Sequence, residues 1–153
     1  MENMEQKLQY LLDRLAIEDQ IKHYAHLIDS KQFDRLYDVM APGAWMDYSV
    51  CGGEKCSVEE MIGHVTKSMA QFRSQHLMTN VEVCIAPDRR TAQSTHILFN
   101  PMTMDMDGRD YTFFCGLHYD CDWILTEDEI WKITKVIQRD CYTYHRPLPT
   151  KKK

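Results

Sequence analysis

The stretch Ile28-Asp29-Ser30-Lys31-Gln32-Phe33-Asp34-Arg35-Leu36 joins two predicted helices. Before it, apolar residues recur at steps of three and four from about Glu5 to Ser30, which predicts one long amphipathic helix. The first half of that helix has a stripe formed by Leu8, Leu11, Leu12 and Leu15. After the stretch, the same spacing predicts a shorter helix from Phe33, Leu36, Tyr37 and Met40. The Asp29 carboxylate therefore lies at the end of the long helix.

The back half of the chain has the two-residue period of β-strands. Alternation from His76 onward predicts long strands, which turn at Pro87-Asp88 and at Asp107-Gly108. A capping box from Ser57 to Glu60 opens a third helix before the first strand. Helices followed by long antiparallel strands predict an α+β domain, in which the helices cover one side of a curved sheet.

Length and composition set limits on the class of protein. The 153 residues predict one domain over residues 1–146, followed by a polar tail over 147–153. A net charge of −5 without a basic patch argues against nucleic acid as a partner. The absence of a long apolar run and of a signal-peptide pattern predicts no membrane association and a cytoplasmic location. The six cysteines contain no C-x-x-C pair, so we expect reduced thiols and no zinc site.

Asp29 and His76 are the first candidates for chemistry. From periodicity alone, Asp29 is more typical of an N-cap for the second helix, and a histidine at a strand end is usually a surface or satisfied core residue. In the catalytic interpretation, Asp29 accepts a hydrogen bond from one ring nitrogen of His76. That contact fixes the tautomer and leaves the other nitrogen free to move a proton.

The run from Asp29 to Tyr48, together with Ser74-Gln75-His76-Leu77, resembles the scytalone dehydratase family of the SnoaL-like (NTF2-like) superfamily. The order of elements is also similar to that of hexachlorocyclohexane dehydrochlorinases and bile-acid dehydratases. The resemblance implies an NTF2-like cone with N-terminal helices packed on a strongly curved antiparallel sheet. It further implies that Asp29 and His76 are the catalytic pair, and that Tyr48 polarises a substrate carbonyl through a bound water.

Other positions differ from the family pattern. Ile28 replaces a second pocket tyrosine, Met102 replaces a histidine, and His118 and Asp120 replace a serine and an asparagine, which argues against scytalone itself as the substrate. Tyr24 is a second candidate phenol. We expect substrate-binding positions at Tyr24, Met102, Phe114, His118 and Asp120. The last two could act as an acid/base pair or as a structural pair.

These features predict a cofactor-independent, dehydratase-like lyase that acts on a small hydrophobic cyclic or aromatic carbonyl compound. The relatives named above work without metal, so we expect none, although His76, His118 and Asp29 are possible ligand types. The alternatives are an isomerase or cyclase with the same pocket, a non-catalytic ligand-binding module, and an accessory subunit like those of ring-hydroxylating dioxygenases. The family implies a homo-oligomer, with a trimer favoured over a dimer.

Overall fold

The computed structural model describes residues 3–145, and the predicted boundary at residue 146 and the tail lie outside them. The helices are α1 (Met4–Asp29), α2 (Val58–Ser68) and two 3-10 helices (Phe33–Asp38 and Ser49–Cys51). The strands are β1 (Met40–Asp47), β2 (Lys55–Ser57), β3 (Arg73–Ser74), β4 (Leu77–Ile85), β5 (Thr91–Asp105), β6 (Asp110–Leu125) and β7 (Trp131–His145). The predicted second helix is thus a 3-10 helix that ends at Asp38, and Met40, which was predicted to belong to it, begins β1.

The seven strands form one strongly curved sheet in the order β2-β1-β7-β6-β5-β3, and β4 also pairs with β5. Tight turns make β5, β6 and β7 antiparallel neighbours. β1 instead runs parallel to β7, with Met46 opposite Val136, so the sheet is mixed and not wholly antiparallel as predicted. A long stretch of chain separates these two strands, and no tight turn fixes their relative direction.

The helices cover the concave face of this sheet. The buried side of α1 begins only at Asp13 and continues through Ile17, Ile21 and Ile28. The leucine stripe of its first half, by contrast, is between 46 and 55% exposed in the single chain. None of the helices within residues 3–145 has the length and apolar composition that crossing a membrane requires.

Asp13 links α1 to the turn before β5 and to the start of β7. Its carboxylate accepts hydrogen bonds from Arg89 Nε at 2.6 Å and from the buried Trp131 Nε1 at 3.4 Å. Burial alone would raise the pKa of Asp13, but the hydrogen bonds from Arg89 and Trp131 outweigh it and hold that pKa below its ordinary value. The carboxylate is therefore ionised at neutral pH and paired, which is the state a buried charge requires.

Candidate active site

A cavity of about 340 Å³ lies between α1, α2 and the concave face of the sheet. Its walls are mostly apolar and include Ile28, Met69, Phe72, Leu98, Met102 and Phe113. Polar side chains converge on it from two places: His76 with Asn100, and a group of three tyrosines. A largely apolar pocket with a few converging polar groups is the usual form of a small-molecule site.

The end of α1 presents Asp29 to His76. Asp29 Oδ1 lies 2.6 Å from His76 Nδ1 and accepts a hydrogen bond from Ser74 Oγ at 2.8 Å. Asp29 Oδ2 accepts from the His76 backbone N–H at 2.8 Å. The N-cap alternative for Asp29 is not observed, because no side chain caps the following 3-10 helix. The chain leaves α1 through Lys31, whose φ of 62° ends the helix directly after the carboxylate.

These contacts keep Asp29 ionised. Burial raises the pKa of Asp29, but the hydrogen bonds from His76 and Ser74 act in the opposite direction and leave it below its ordinary value. An ionised carboxylate can only accept, so His76 Nδ1 carries the proton of the 2.6 Å contact. The His76 side chain is only 6% exposed, and its ring lines the cavity.

Asn100 stands on the other side of the His76 ring. Its side-chain amide lies 3.2 Å from His76 Nε2, and the residue is 3% exposed. Asn100 was not among the residues predicted from the sequence. The available signal was an amide between Leu98 and Met102, which line the same cavity from alternate positions of β5.

Three phenols line the cavity from different elements. The hydroxyls of Tyr24 on α1 and Tyr48 after β1 are 3.1 Å apart, and the Tyr119 ring on β6 packs edge-on against both. Gln138 Nε2 donates to the Tyr119 hydroxyl at 2.8 Å. Burial raises the pKa of Tyr24 to about 12 and the pKa of Tyr48 and Tyr119 well above the ordinary value. All three are neutral hydrogen-bond donors at physiological pH.

Tyr119 and Gln138 were also not predicted. Gly53 contributes to the placement of Tyr48, since a Cβ at this position would lie 2.8 Å from Tyr48 Cβ. The Tyr48 backbone N–H further donates to the Glu54 carbonyl at 3.0 Å, which closes the loop against the cavity.

The structure places three predicted binding residues away from this cavity. Asp120 pairs with Arg139 Nε at 2.6 Å and accepts from Thr95 Oγ1 at 2.8 Å. Phe114 stacks on Phe99 with ring centroids 5.6 Å apart, and His118 Nδ1 lies 3.6 Å from Asp140 Oδ2. The lining residues of β6 are the alternate ones, Phe113, Cys115, Leu117 and Tyr119. The prediction placed Phe114, His118 and Asp120 on the pocket face of β6, whereas the cavity is lined by the opposite face of that strand.

No group of three or more His, Cys, Asp and Glu side chains within residues 3–145 could hold a metal ion. His118 does not line the cavity that His76 lines, so the candidate ligand set of Asp29, His76 and His118 is not assembled there.

The sequence matches the family model of the SnoaL-like domain over residues 9–137. Uncharacterized proteins of Mycobacterium tuberculosis and Mycobacterium bovis are 34% identical over 131 residues, which is 85% of this chain and 86% of theirs. The residues matched by the family model include Asp29, Tyr48, His76 and Asn100.

Solved structures share the fold. A protein of Kribbella flavida superposes with a TM-score of 0.77 at 22% identity and covers 88% of this chain and 95% of its own. A candidate scytalone dehydratase of Novosphingobium aromaticivorans gives 0.76 at 14%, over 92% and 91% of the two chains. A type 2 hexachlorocyclohexane dehydrochlorinase gives 0.79 at 16%, over 95% and 99%. The predicted NTF2-like fold is thereby confirmed, and at these identities the likeness concerns the fold alone.

Proposed function

The chain belongs to the SnoaL-like domain family, and on that premise we propose that it is a dehydratase-like lyase acting on a small hydrophobic carbonyl compound. The observation that carries the proposal is the 2.6 Å contact between Asp29 Oδ1 and His76 Nδ1 beside an apolar cavity. A carboxylate that holds one ring nitrogen as N–H leaves the other for proton transfer, which is the arrangement of a general acid–base pair.

The proposed reaction begins with proton abstraction. His76 Nε2, in the neutral form of the ring, takes a proton from the carbon beside the substrate carbonyl, and the electron pair of the C–H bond moves toward the carbonyl oxygen. Asp29 stabilises the imidazolium that forms, at a distance where charge pairing is strong. The phenols of Tyr24 and Tyr48, directly or through a water, donate to the developing enolate oxygen.

Elimination follows from the enolate. Its electron pair forms a carbon–carbon double bond as the bond to the β-hydroxyl group breaks, and His76 Nε2 returns the proton to that hydroxyl, which leaves as water. Each step uses only side chains of this chain, and no oxidant or reductant enters the balance.

The cavity favours a neutral, apolar substrate. Glu54 and His64, which are 3.4 Å apart, are the ionisable pair among the lining residues outside the catalytic group. Both are exposed at the rim, with side-chain exposures of 68% for Glu54 and 47% for His64. The remaining walls are mainly aliphatic and aromatic, so a cyclic or aromatic carbonyl compound would bury apolar surface against them.

A turnover screen tests the proposal. Small cyclic β-hydroxy ketones, scytalone included, are followed by ultraviolet absorbance and product mass with wild type, His76→Ala and the control His26→Ala. His26 is an exposed histidine of α1. We expect elimination by wild type and the control, and a rate about 10²–10⁴-fold lower in His76→Ala. A His76→Ala variant that eliminates water at the wild-type rate would overturn the proposal.

The same screen separates the alternatives. An isomerase or cyclase would convert a substrate without loss of water, so that the product mass equals the substrate mass. A ligand-binding module would bind without turnover, and His76→Ala would alter only its affinity.

A further inference from the structure

We infer that Asn100 is a positioning residue that holds the His76 ring with a proton on both nitrogens in the resting protein. The inference deepens the proposed function, because its catalytic consequence rests on His76 being the acid–base group. The geometry behind the inference involves the His76 ring, its neighbours Asp29 and Asn100, and the backbone carbonyls beside Asn100.

The orientation of the Asn100 amide follows from its partners. One terminal atom of the side chain lies 3.2 Å from the Pro101 carbonyl oxygen and 3.3 Å from the Gln75 carbonyl oxygen. Carbonyl oxygens can only accept hydrogen bonds, so this atom is the amide nitrogen Nδ2. The opposite orientation would direct Oδ1 at two acceptors in a residue that is 3% exposed, where water cannot compensate.

This orientation turns Asn100 Oδ1 toward His76 Nε2 at 3.2 Å. An amide oxygen has no proton to give, so Nε2 must be the donor and carry a hydrogen. Nδ1 carries the other hydrogen, which it donates to the ionised Asp29 at 2.6 Å. A ring that donates from both nitrogens is an imidazolium ion. In the resting protein His76 and Asp29 therefore form a charged pair with Asn100 as the second acceptor, and the ring becomes the base of the proposed reaction only after Nε2 has released this proton.

The charged and titratable groups around the ring fit this assignment. Asp29 at the end of α1 favours the positive charge, and Lys31, whose Nζ lies 3.5 Å from Ser74 Oγ, opposes it from beyond Asp29. The groups that face the ring across the cavity are neutral at physiological pH: Tyr24 on α1, Tyr48 after β1, and Cys115 and Tyr119 on β6. Glu54 and His64, from the β2–α2 side, lie at the rim.

The protonation of His76 Nε2 and the orientation of the Asn100 amide therefore change together. When Nε2 loses its proton it becomes an acceptor, and Asn100 must rotate Nδ2 toward it and leave the carbonyls of Gln75 and Pro101. The loss of these hydrogen bonds raises the free energy of the neutral ring relative to that of the imidazolium. Asn100 thus stabilises the imidazolium that forms when Nε2 takes a proton from a substrate carbon. The proton then stays on Nε2 until the leaving hydroxyl accepts it.

Nuclear magnetic resonance of ¹⁵N-histidine-labelled protein tests the inference without any substrate. The His76 signals are assigned by their absence in His76→Ala. In wild type at neutral pH, we expect both ring nitrogens to have the shifts of protonated nitrogen. A wild-type ring whose Nε2 is unprotonated at neutral pH would overturn the inference, and this result needs no folded variant of Asn100.

Removal of the acceptor provides the second readout. In Asn100→Leu, Nε2 should lose its proton at a lower pH than in wild type, since the acceptor of its hydrogen bond has been removed. Gln93→Leu removes an amide from the exposed face of the same strand, where it binds Asp122 at 3.0 Å, and should leave the midpoint unchanged. Equal midpoints in wild type and a folded Asn100→Leu would contradict the role.

The two proposals fail in different ways. The spectra decide the protonation of His76 and the role of Asn100, whereas the turnover screen decides whether the protein is a lyase. With an active substrate, the acidic limb of the rate–pH profile should move to lower pH in Asn100→Leu, because the base form of His76 is then populated at lower pH. A purely structural role for Asn100 would lower the rate at every pH and leave that limb in place.

Discussion

Asp29 Oδ1 lies 2.6 Å from His76 Nδ1, although 47 positions separate the two residues along the chain. The contact joins the last residue of α1 to the residue that precedes β4. Asp29 binds both the ring and the backbone N–H of His76, so the carboxylate positions the main chain and the imidazole together. The family match and this geometry lead to five expected outcomes.

Asp29→Asn should remove most of the activity and leave the fold in place. The amide is isosteric, but it has no negative charge to stabilise an imidazolium. Its NH₂ group can also donate to Nδ1, which favours the tautomer that carries the proton on Nε2. We expect kcat/KM to fall by about 10² or more. The matched control is Asp19→Asn, at an exposed carboxylate of the same helix that pairs with Lys22. Equal losses in the two variants would argue against the catalytic pair.

Tyr48→Phe should lower kcat by about 10²-fold, because it removes one donor to the developing enolate oxygen. The loss should be larger in kcat than in KM, since the negative charge exists only in the transition state. Tyr142→Phe is the control, at a phenol of β7 that is 60% exposed. If steady-state kinetics give Tyr48→Phe the wild-type kcat, the Tyr48 phenol has no role in the mechanism.

Gly53→Ala should displace Tyr48, because the new Cβ would lie 2.8 Å from Tyr48 Cβ. We expect reduced turnover together with reduced thermal stability. Gly63→Ala in α2 meets no atom within 4 Å, and it should stabilise the protein by about 0.5–1 kcal/mol through helix propensity. Calorimetry and kinetics of the pair check both signs. Wild-type turnover and thermal stability in Gly53→Ala would contradict this expectation, because they would show that the loop accommodates the new Cβ.

Acid should destabilise the protein partly through Asp13. Its folded-state pKa is depressed, so its contribution is fully present above the ordinary value of 3.8 and is lost as the pH falls through the lower folded-state pKa. Asp13→Asn should lower the free energy of unfolding at neutral pH by about 1–3 kcal/mol. It should also flatten the fall in that free energy below pH 3.8. Urea titrations at a series of pH values measure both, and parallel curves for variant and wild type would contradict the assignment.

The exposed leucine stripe of α1 leads us to expect a homo-oligomer. The preference for a trimer over a dimer rests on the family resemblance alone and stays a prediction. Four leucines at 46 to 55% exposure follow one another along α1, and a contiguous exposed apolar patch often marks a protein–protein interface. Light scattering should give the mass of an oligomer, and Leu11→Glu should reduce it. The control Leu77→Glu alters a leucine of similar exposure, 45%, on the sheet. A monomeric wild type would refute the expectation.

Much of the fold could be predicted because helices and strands differ in the spacing of apolar residues within a short stretch of sequence. The change from three- and four-residue steps to alternation predicted a long helix from about Glu5 to Ser30 and long strands from His76 onward, where the structure has α1 and β4 to β7. The parallel pairing of β1 with β7 could not be obtained in this way, since it joins residues such as Met46 and Val136 that no short turn connects. The same limit applies to the 3-10 form of the second helix, whose spacing over two turns resembles that of an α-helix.

The candidate site divides along a similar line. Asp29, His76 and Tyr48 were identified from a resemblance of short motifs, and the structure brings the first two into contact. Asn100, Tyr119 and Gln138 were missed, and His118 and Asp120 were assigned to the pocket instead. Alternation in a strand separates its residues into two faces. It does not say which face the helices enclose.

The sequence by itself determined the long helix that ends near Asp29, the capping box of α2 and the alternation of the long strands, because these depend on neighbours a few residues apart. Only the tertiary structure decided that Leu117 and Tyr119, and not His118 and Asp120, line the cavity, and that Asn100 lies against the His76 ring. The physical reason is that the curvature of the sheet and the docking of α1 select one face for burial. That selection depends on the packing of the whole chain.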